Sequence, residues 1–144
     1  LDDEWLEPFW SAAEEYHLPI FIHPHYTLGA DWMAGYGHAP LLALGFTFET
    51  TAAVTRLILG GVLERHEELR FVLAHTGGTL PFLAGRLDAC TRVDEHAARH
   101  LRKPFSEYLR MMYFDGVAYH APAVQCALDL VGPERIVFGT DHPF

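Results

Sequence analysis

Three side chains in this 144-residue sequence have the types and settings that metal or acid–base chemistry needs: His23, His75 and Asp141. Each follows a short apolar run, in Phe21-Ile22-His23-Pro24, Leu73-Ala74-His75-Thr76-Gly77-Gly78 and Phe138-Gly139-Thr140-Asp141-His142-Pro143. Imidazole nitrogens and a carboxylate together suit Zn, Mn or Fe. An imidazole is also poised to move a proton near neutral pH. Taken singly, each has an ordinary alternative. A histidine after a strand is commonly a hydrogen-bonded loop residue, Asp141 could cap a helix, and Gly77-Gly78 could be a simple turn. Three such placements at equivalent points of the chain favour a shared site.

The points are equivalent because helical and strand-like segments alternate. Residues 8–17 predict a helix with Phe9, Ala12, Ala13 and Tyr16 on one stripe. Residues 19–23 predict a strand covered on both faces and stopped by Pro24. Residues 25–49, rich in Gly, aromatics and Met, predict a long functional loop with room for a helical turn. Glu49-Thr50-Thr51 can cap a helix running to His66, with Val54, Leu57, Ile58, Gly61 and Val62 facing inward. Gly60-Gly61 in that helix points to close packing against a neighbour. A strand over residues 69–74, a helix over 81–100 and a strand over 111–114 follow, the last ending in Asp115-Gly116. A helix over residues 121–131, ended by Gly132-Pro133, and a strand over 136–138 complete the pattern.

Such alternation with buried strands predicts an α/β fold with a parallel sheet. Four strands cannot close a parallel barrel, and a full (β/α)8 barrel takes about 250 residues. The chain is therefore either a small open sheet or about half of a barrel. Barrel enzymes gather their chemistry at the C-terminal ends of the strands, where residues distant in sequence converge on rigid supports.

The remaining polar and aromatic candidates are weaker. Asp115 ends the third strand and is read as forming a turn with Gly116. His25 and His142 either support a neighbouring ligand through hydrogen bonds or are exposed. His17, His38, His66, His96, His100 and His120 are expected to be solvated. Trp32, Tyr36, Phe46 and Phe48 either wall a planar substrate or pack their own loop.

Composition narrows the class. Half the residues are hydrophobic and 20% are charged, which suits one globular domain spanning residues 1–144. The net charge of −9 and the lack of Lys/Arg clusters argue against nucleic acid or an anionic membrane as partner. They leave an anionic small substrate open, because a local metal outweighs the global charge. Cys90 and Cys126 have no metal-finger spacing, which fits a reduced, cytoplasmic protein. No apolar run is expected to reach the length of a membrane helix. The chain starts with Leu1, not Met, so the missing signal peptide carries no weight.

The segments IHPH, GFTFETT, LILGGVLERH, LRFVLAHTGGTLPFLAGRLD and RIVFGTDHPF resemble the amidohydrolase-related family across essentially the whole chain. AHxGG and GTDxPF, in that order after an HP strand end, are specific as a set. The nearest branch is that of the aminocarboxymuconate-semialdehyde and γ-resorcylate decarboxylases. The resemblance implies a (β/α)8 TIM-like barrel of the metal-dependent hydrolase type, of which this chain is the C-terminal half, about four βα units. It implies one divalent metal, Zn or alternatively Mn or Fe. It makes His23 the fifth-strand ligand, Asp141 the eighth-strand ligand and His75 the sixth-strand acid–base group, which in other branches is itself a ligand. The first-strand HxH or ExH pair that completes the family's metal site has no match here, so two of four ligands are expected from this chain. The implied activity is non-oxidative decarboxylation of an aromatic or unsaturated carboxylic acid. A lactone or amide hydrolase, or a truncated non-catalytic piece, is the alternative. The implied partners are a small-molecule carboxylate and, in the full-length form, further copies in a dimer or tetramer.

Overall fold

In the computed structural model, which describes residues 1–25 and 27–143, four short apolar runs pair in chain order into one parallel sheet. Tyr26 and Phe144, the last residue of the GTDxPF motif, lie outside the described residues. The strands are β1 (Pro19–Ile22), β2 (Arg70–Leu73), β3 (Tyr113–Asp115) and β4 (Ile136–Val137). Their register places Ile22 beside Leu73, Leu73 beside Phe114, and Asp115 beside Val137. The residues that follow each strand therefore emerge along one edge of the sheet. This is the expected parallel α/β architecture.

Helix α1 (Glu7–Glu15) precedes β1, and helices α2 (Phe46–Leu59), α3 (Val62–Arg65), α4 (Leu80–Val93), α5 (Phe105–Leu109) and α6 (Ala121–Val131) join the strands. The core forms where helices meet sheet. Val54, Leu57, Ile58 and Val62 are fully buried against Phe71, Leu73 and Phe114. Each such Leu, Ile or Phe contributes about 1.5–3 kcal/mol of burial free energy. The inward stripe expected for α2 and α3 is thus the observed one.

Several local expectations are corrected. The inner side of α1 is Trp10 and Ala13, continued by Leu6 just before the helix, whereas Phe9 and Tyr16 are 51% and 68% exposed. Trp10 supplies the larger apolar area and decides which face turns in. The strands are not covered on both faces, since Phe21 is 71% exposed and Phe138 just past β4 is 93% exposed. Helices cover one side of the sheet, and in a barrel the other side is closed by strands across from it.

The expected long loop holds 3-10 turns at Ala30–Met33 and a π-helical turn at Leu41–Gly45 that runs directly into α2. Thr51 therefore lies inside the helix, where its Oγ1 donates to the Thr47 carbonyl at 2.7 Å rather than capping an end. The continuous helix Leu41–Leu59 is, by length and composition, apolar enough to cross a membrane, contrary to the expected absence of such a run. Its buried Val54, Leu57 and Ile58 pack into the core as in any core helix. Gly61, at φ +73, breaks the expected helix to His66 into α2 and α3. A Cβ there would lie 2.9 Å from the His100 side chain, which accounts for the close packing expected of this glycine pair. The helix expected over residues 81–100 stops at Val93, and the short α5 lies before β3.

Candidate active site

The three sequence candidates reach the same side of the sheet. His23 follows β1, His75 follows β2, and Asp141 follows β4 after a short extension. All three line one cavity of about 960 Å³, within the range of small-molecule pockets. The rings of His23 and His75 lie 5.2 Å apart between centroids. Phe46 packs 6.0 Å from each of them.

Each group is held differently. The Pro24 carbonyl accepts a hydrogen bond from His23 Nδ1 at 2.7 Å. A carbonyl only accepts, so Nδ1 carries the proton and Nε2 keeps its lone pair for a ligand. Asp141 Oδ2 accepts from the Tyr119 hydroxyl at 2.7 Å, and its other oxygen has no hydrogen-bond partner among the described residues. The carboxylate in turn raises the Tyr119 pKa. His75 Nδ1 is buried and, among the described residues, has no hydrogen-bond partner. Burial lowers the His75 pKa below the ordinary imidazole value, the Asp115 carboxylate opposes that, and His23 adds to the lowering. The neutral ring is thereby favoured, with a nitrogen available to take a proton.

The backbone around the cavity is strained. Five described residues other than glycine have positive φ, and four of them, His75, Thr76, Tyr119 and Asp141, line this cavity. Such conformations cost of order 1–3 kcal/mol each and persist only where the surroundings fix them. Residues 75–78 form a run of four, at φ +54, +54, +70 and +64. The Gly77-Gly78 pair is more than a simple turn. A Cβ on Gly77 would sit 2.5 Å from the Phe114 ring, and one on Gly78 would sit 2.3 Å from the Thr47 carbonyl.

Asp115, expected to form a turn, does so through Val117 N–H, which donates to its Oδ1 at 3.1 Å. The same carboxylate also reaches back to β2. His75 N–H donates to Oδ2 at 3.0 Å, and Thr76 N–H donates to Oδ1 at 2.7 Å. Only the fold brings these residues together, since about forty positions separate them in sequence.

The weaker candidates divide. Phe46 lines the cavity, whereas Trp32, Tyr36 and Phe48 are exposed and do not. His25 is exposed and its N–H donates to Glu49 Oε2 at 3.1 Å. His142 is exposed. His120 is exposed but lines the cavity, and Tyr119 beside it carries no sequence signal that marks it. His66 is the clear correction, being buried instead of solvated.

The donor set fits part of a metal site. Among the described residues no group of three or more His, Cys, Asp or Glu side chains is placed to hold a metal ion. His23 Nε2 and the second Asp141 oxygen, neither with a hydrogen-bond partner among the described residues, are two donors whose chemistry suits a divalent ion such as Zn, Mn or Fe.

Comparison with known proteins bears on the whole chain. A family model described as amidohydrolase matches residues 1–144. A 2-amino-3-carboxymuconate-6-semialdehyde decarboxylase of Dictyostelium discoideum is 32% identical over 152 aligned positions, covering 100% of this chain. The crystal structure of Metarhizium anisopliae IDCase in apo form superimposes with a TM-score of 0.92 at 44% identity over 100% of the chain. A dihydroxybenzoic acid decarboxylase from Polaromonas, crystallised with manganese and the inhibitor 2-nitroresorcinol, superimposes with a TM-score of 0.83 at 26% identity over 99% of the chain. The chain spans 40%, 41% and 44% of these three proteins respectively. Its sheet is thus equivalent to about half of a (β/α)8 barrel.

Proposed function

The chain belongs to the amidohydrolase family, and on that premise we propose that the full-length protein carrying it is a metal-dependent decarboxylase of an aromatic or unsaturated carboxylic acid. One observation carries the reading. His23, His75 and Asp141 come from three different strand ends and line one cavity, with the two imidazole rings 5.2 Å apart.

His23, through Nε2, and Asp141, through its second oxygen, would hold two positions of a divalent ion, Zn or the Mn of the Polaromonas relative. When bound, such an ion supplies a Lewis acid that polarises a substrate oxygen. The rest of the work falls to this chain's own side chains. Phe46 and the apolar wall, including Phe82 and Val117, offer a flat surface to a planar acid and limit water. No Lys or Arg is among the described residues lining the cavity, so this half offers no cationic side chain to retain the carboxylate. His75 first takes up a proton and then delivers it to the ring or vinyl carbon that bears the carboxylate. The carbon–carboxylate bond then breaks, its electron pair restores the π system that protonation interrupted, and CO2 leaves. The lowered pKa of His75 makes its protonated ring a readier proton donor than an ordinary imidazolium.

The test is His75→Asn in the full-length protein, assayed for CO2 release from a panel of aromatic carboxylic acids, with metal content measured alongside. The expected outcome is loss of turnover with metal retained. Loss of metal would make His75 a ligand. Hydrolysis of lactones or amides without CO2 release from any acid would replace the decarboxylase reading with a hydrolase.

A further inference from the structure

We infer that Asp115 is a positioning residue for His75: its carboxylate holds the left-handed backbone turn that aims the imidazole into the cavity. This rests on the assignment of His75 as the proton donor. The two residues with most to gain from an anchor are His75 and Thr76, which have side chains yet sit at φ +54. A β-branched residue such as Thr76 is a particular outlier in that region. Thr76 is also 4% exposed, and its Oγ1 has no partner among the described residues, so its side chain supplies no compensating hydrogen bond.

What compensates is the carboxylate across the β2–β3 pair. The last paired positions are Leu73 and Phe114, so Asp115 stands one residue further along, level with the chain as it leaves β2. Its two oxygens accept from His75 N–H, Thr76 N–H and Val117 N–H at 2.7–3.1 Å. Hydrogen bonds to an ionised acceptor are roughly twice as strong as neutral ones. Three of them on one carboxylate tie both strand ends to a single group. Gly139 leaves room for it, because a Cβ there would lie 3.4 Å from Asp115 Cβ and 2.9 Å from the Val117 side chain. Asp115 itself is not among the cavity-lining residues, so it acts through the backbone of His75 and does not touch substrate.

An asparagine cannot replace this carboxylate. It has one acceptor oxygen, and its NH2 group would face an N–H of the turn, donor against donor. A shift of about 1 Å at a reacting group costs on the order of a hundredfold in rate.

The experiment is Asp115→Asn and Asp115→Glu in the full-length, metal-loaded protein, with kcat, KM, metal content and melting temperature measured for each. Asp115→Asn is expected to lower kcat about 10- to 100-fold, with KM within about threefold and metal content unchanged. Asp115→Glu keeps the charge and both acceptors but moves them by one methylene, and its expected loss is roughly tenfold or less. It also keeps the test decisive if the Asn variant does not fold. The amide proton resonances of His75 and Thr76 should move upfield in Asp115→Asn as the charged acceptor is lost. A lowered melting temperature with unchanged kcat in both variants would reduce Asp115 to a structural brace and overturn the inference. Loss of metal would overturn it too, by placing Asp115 in the ion's site. His75→Asn run in parallel separates the premises: if that variant still turns over, the assignment of His75 has failed; if it is dead while both Asp115 variants keep wild-type kcat, only the role of Asp115 has.

Discussion

The two ends of β2 carry one histidine each, and the two are held in opposite ways. His66, before the strand, is 7% exposed, and both of its ring nitrogens have partners: Glu14 at Nδ1 and Glu7 at Nε2, each at 3.0 Å. The carboxylates are themselves engaged. Arg65 donates to Glu7, and Glu68 N–H donates to Glu14 at 2.9 Å. His75, after the strand, has a buried Nδ1 with no partner among the described residues, on a backbone at φ +54. Buried polar groups are normally satisfied, and the exceptions call for an explanation. At one end the ring completes a network that ties α1 to the start of β2. At the other, strain and an open nitrogen are maintained beside a cavity. This matches the division of barrel proteins into a stability end and a chemistry end.

Mutation should separate the two ends cleanly. The largest expected effect is His75→Asn, which should cut turnover by about 10²- to 10⁴-fold while the melting temperature stays close to that of the parent. His66→Ala should do the reverse. It removes the bridge between two carboxylates and should cost about 2 kcal/mol in chemical denaturation, with kcat of the folded enzyme unchanged. A drop in kcat for His66→Ala matching that of His75→Asn would erase the distinction between the ends.

Acid should act on the Glu7–His66–Glu14 end through its two carboxylates. The Glu7 carboxyl is held below the ordinary range by hydrogen bonds from Arg65 and then His66. For Glu14, burial pushes upward, but the Glu68 N–H and His66 outweigh it and the net direction is down. Depressed folded-state values mean that the unfolded chain takes up protons first. The stabilisation is therefore complete above the ordinary carboxylate range and is lost as pH falls through it. A Glu7→Gln/Glu14→Gln double variant should flatten the fall of melting temperature between pH 6 and pH 3, a window on the order of the carboxylate range. An unchanged acid limb would show that other carboxylates control it.

The smallest effect is expected at Tyr119, whose hydroxyl donates to Asp141 from an exposed position. Tyr119→Phe should change kcat/KM by less than about tenfold, because exposed hydrogen bonds exchange readily with water. A larger loss together with loss of metal would move Tyr119 from the margin of the site to its support.

Much of this was legible in the sequence. Apolar runs of strand length, each ending in His or Asp, gave the parallel sheet and the three convergent groups, because the period of hydrophobic residues directly reflects which faces are buried. Boundaries were less legible. Glu49-Thr50-Thr51 has the composition of a cap yet lies inside α2, since the π-helical turn before it carries the helix further back than local signals indicate. His66 looked solvated because the residues around it, Glu64-Arg65-His66-Glu67-Glu68, are all polar. Its burial depends on Glu7 and Glu14, more than fifty positions away.

The sequence by itself determined the class of fold, the order of its strands and the identity of the imidazole and carboxylate side chains that line the cavity, because these follow from local pattern and residue chemistry. Tertiary structure alone decided which polar groups are satisfied and which are left open. It turned Asp115 from a turn former into a clamp on His75, brought Tyr119 to Asp141, and closed Glu7 and Glu14 around His66. The physical reason is that a hydrogen bond or a left-handed turn is fixed by partners close in space, and here those partners lie 22 to 59 residues apart along the chain.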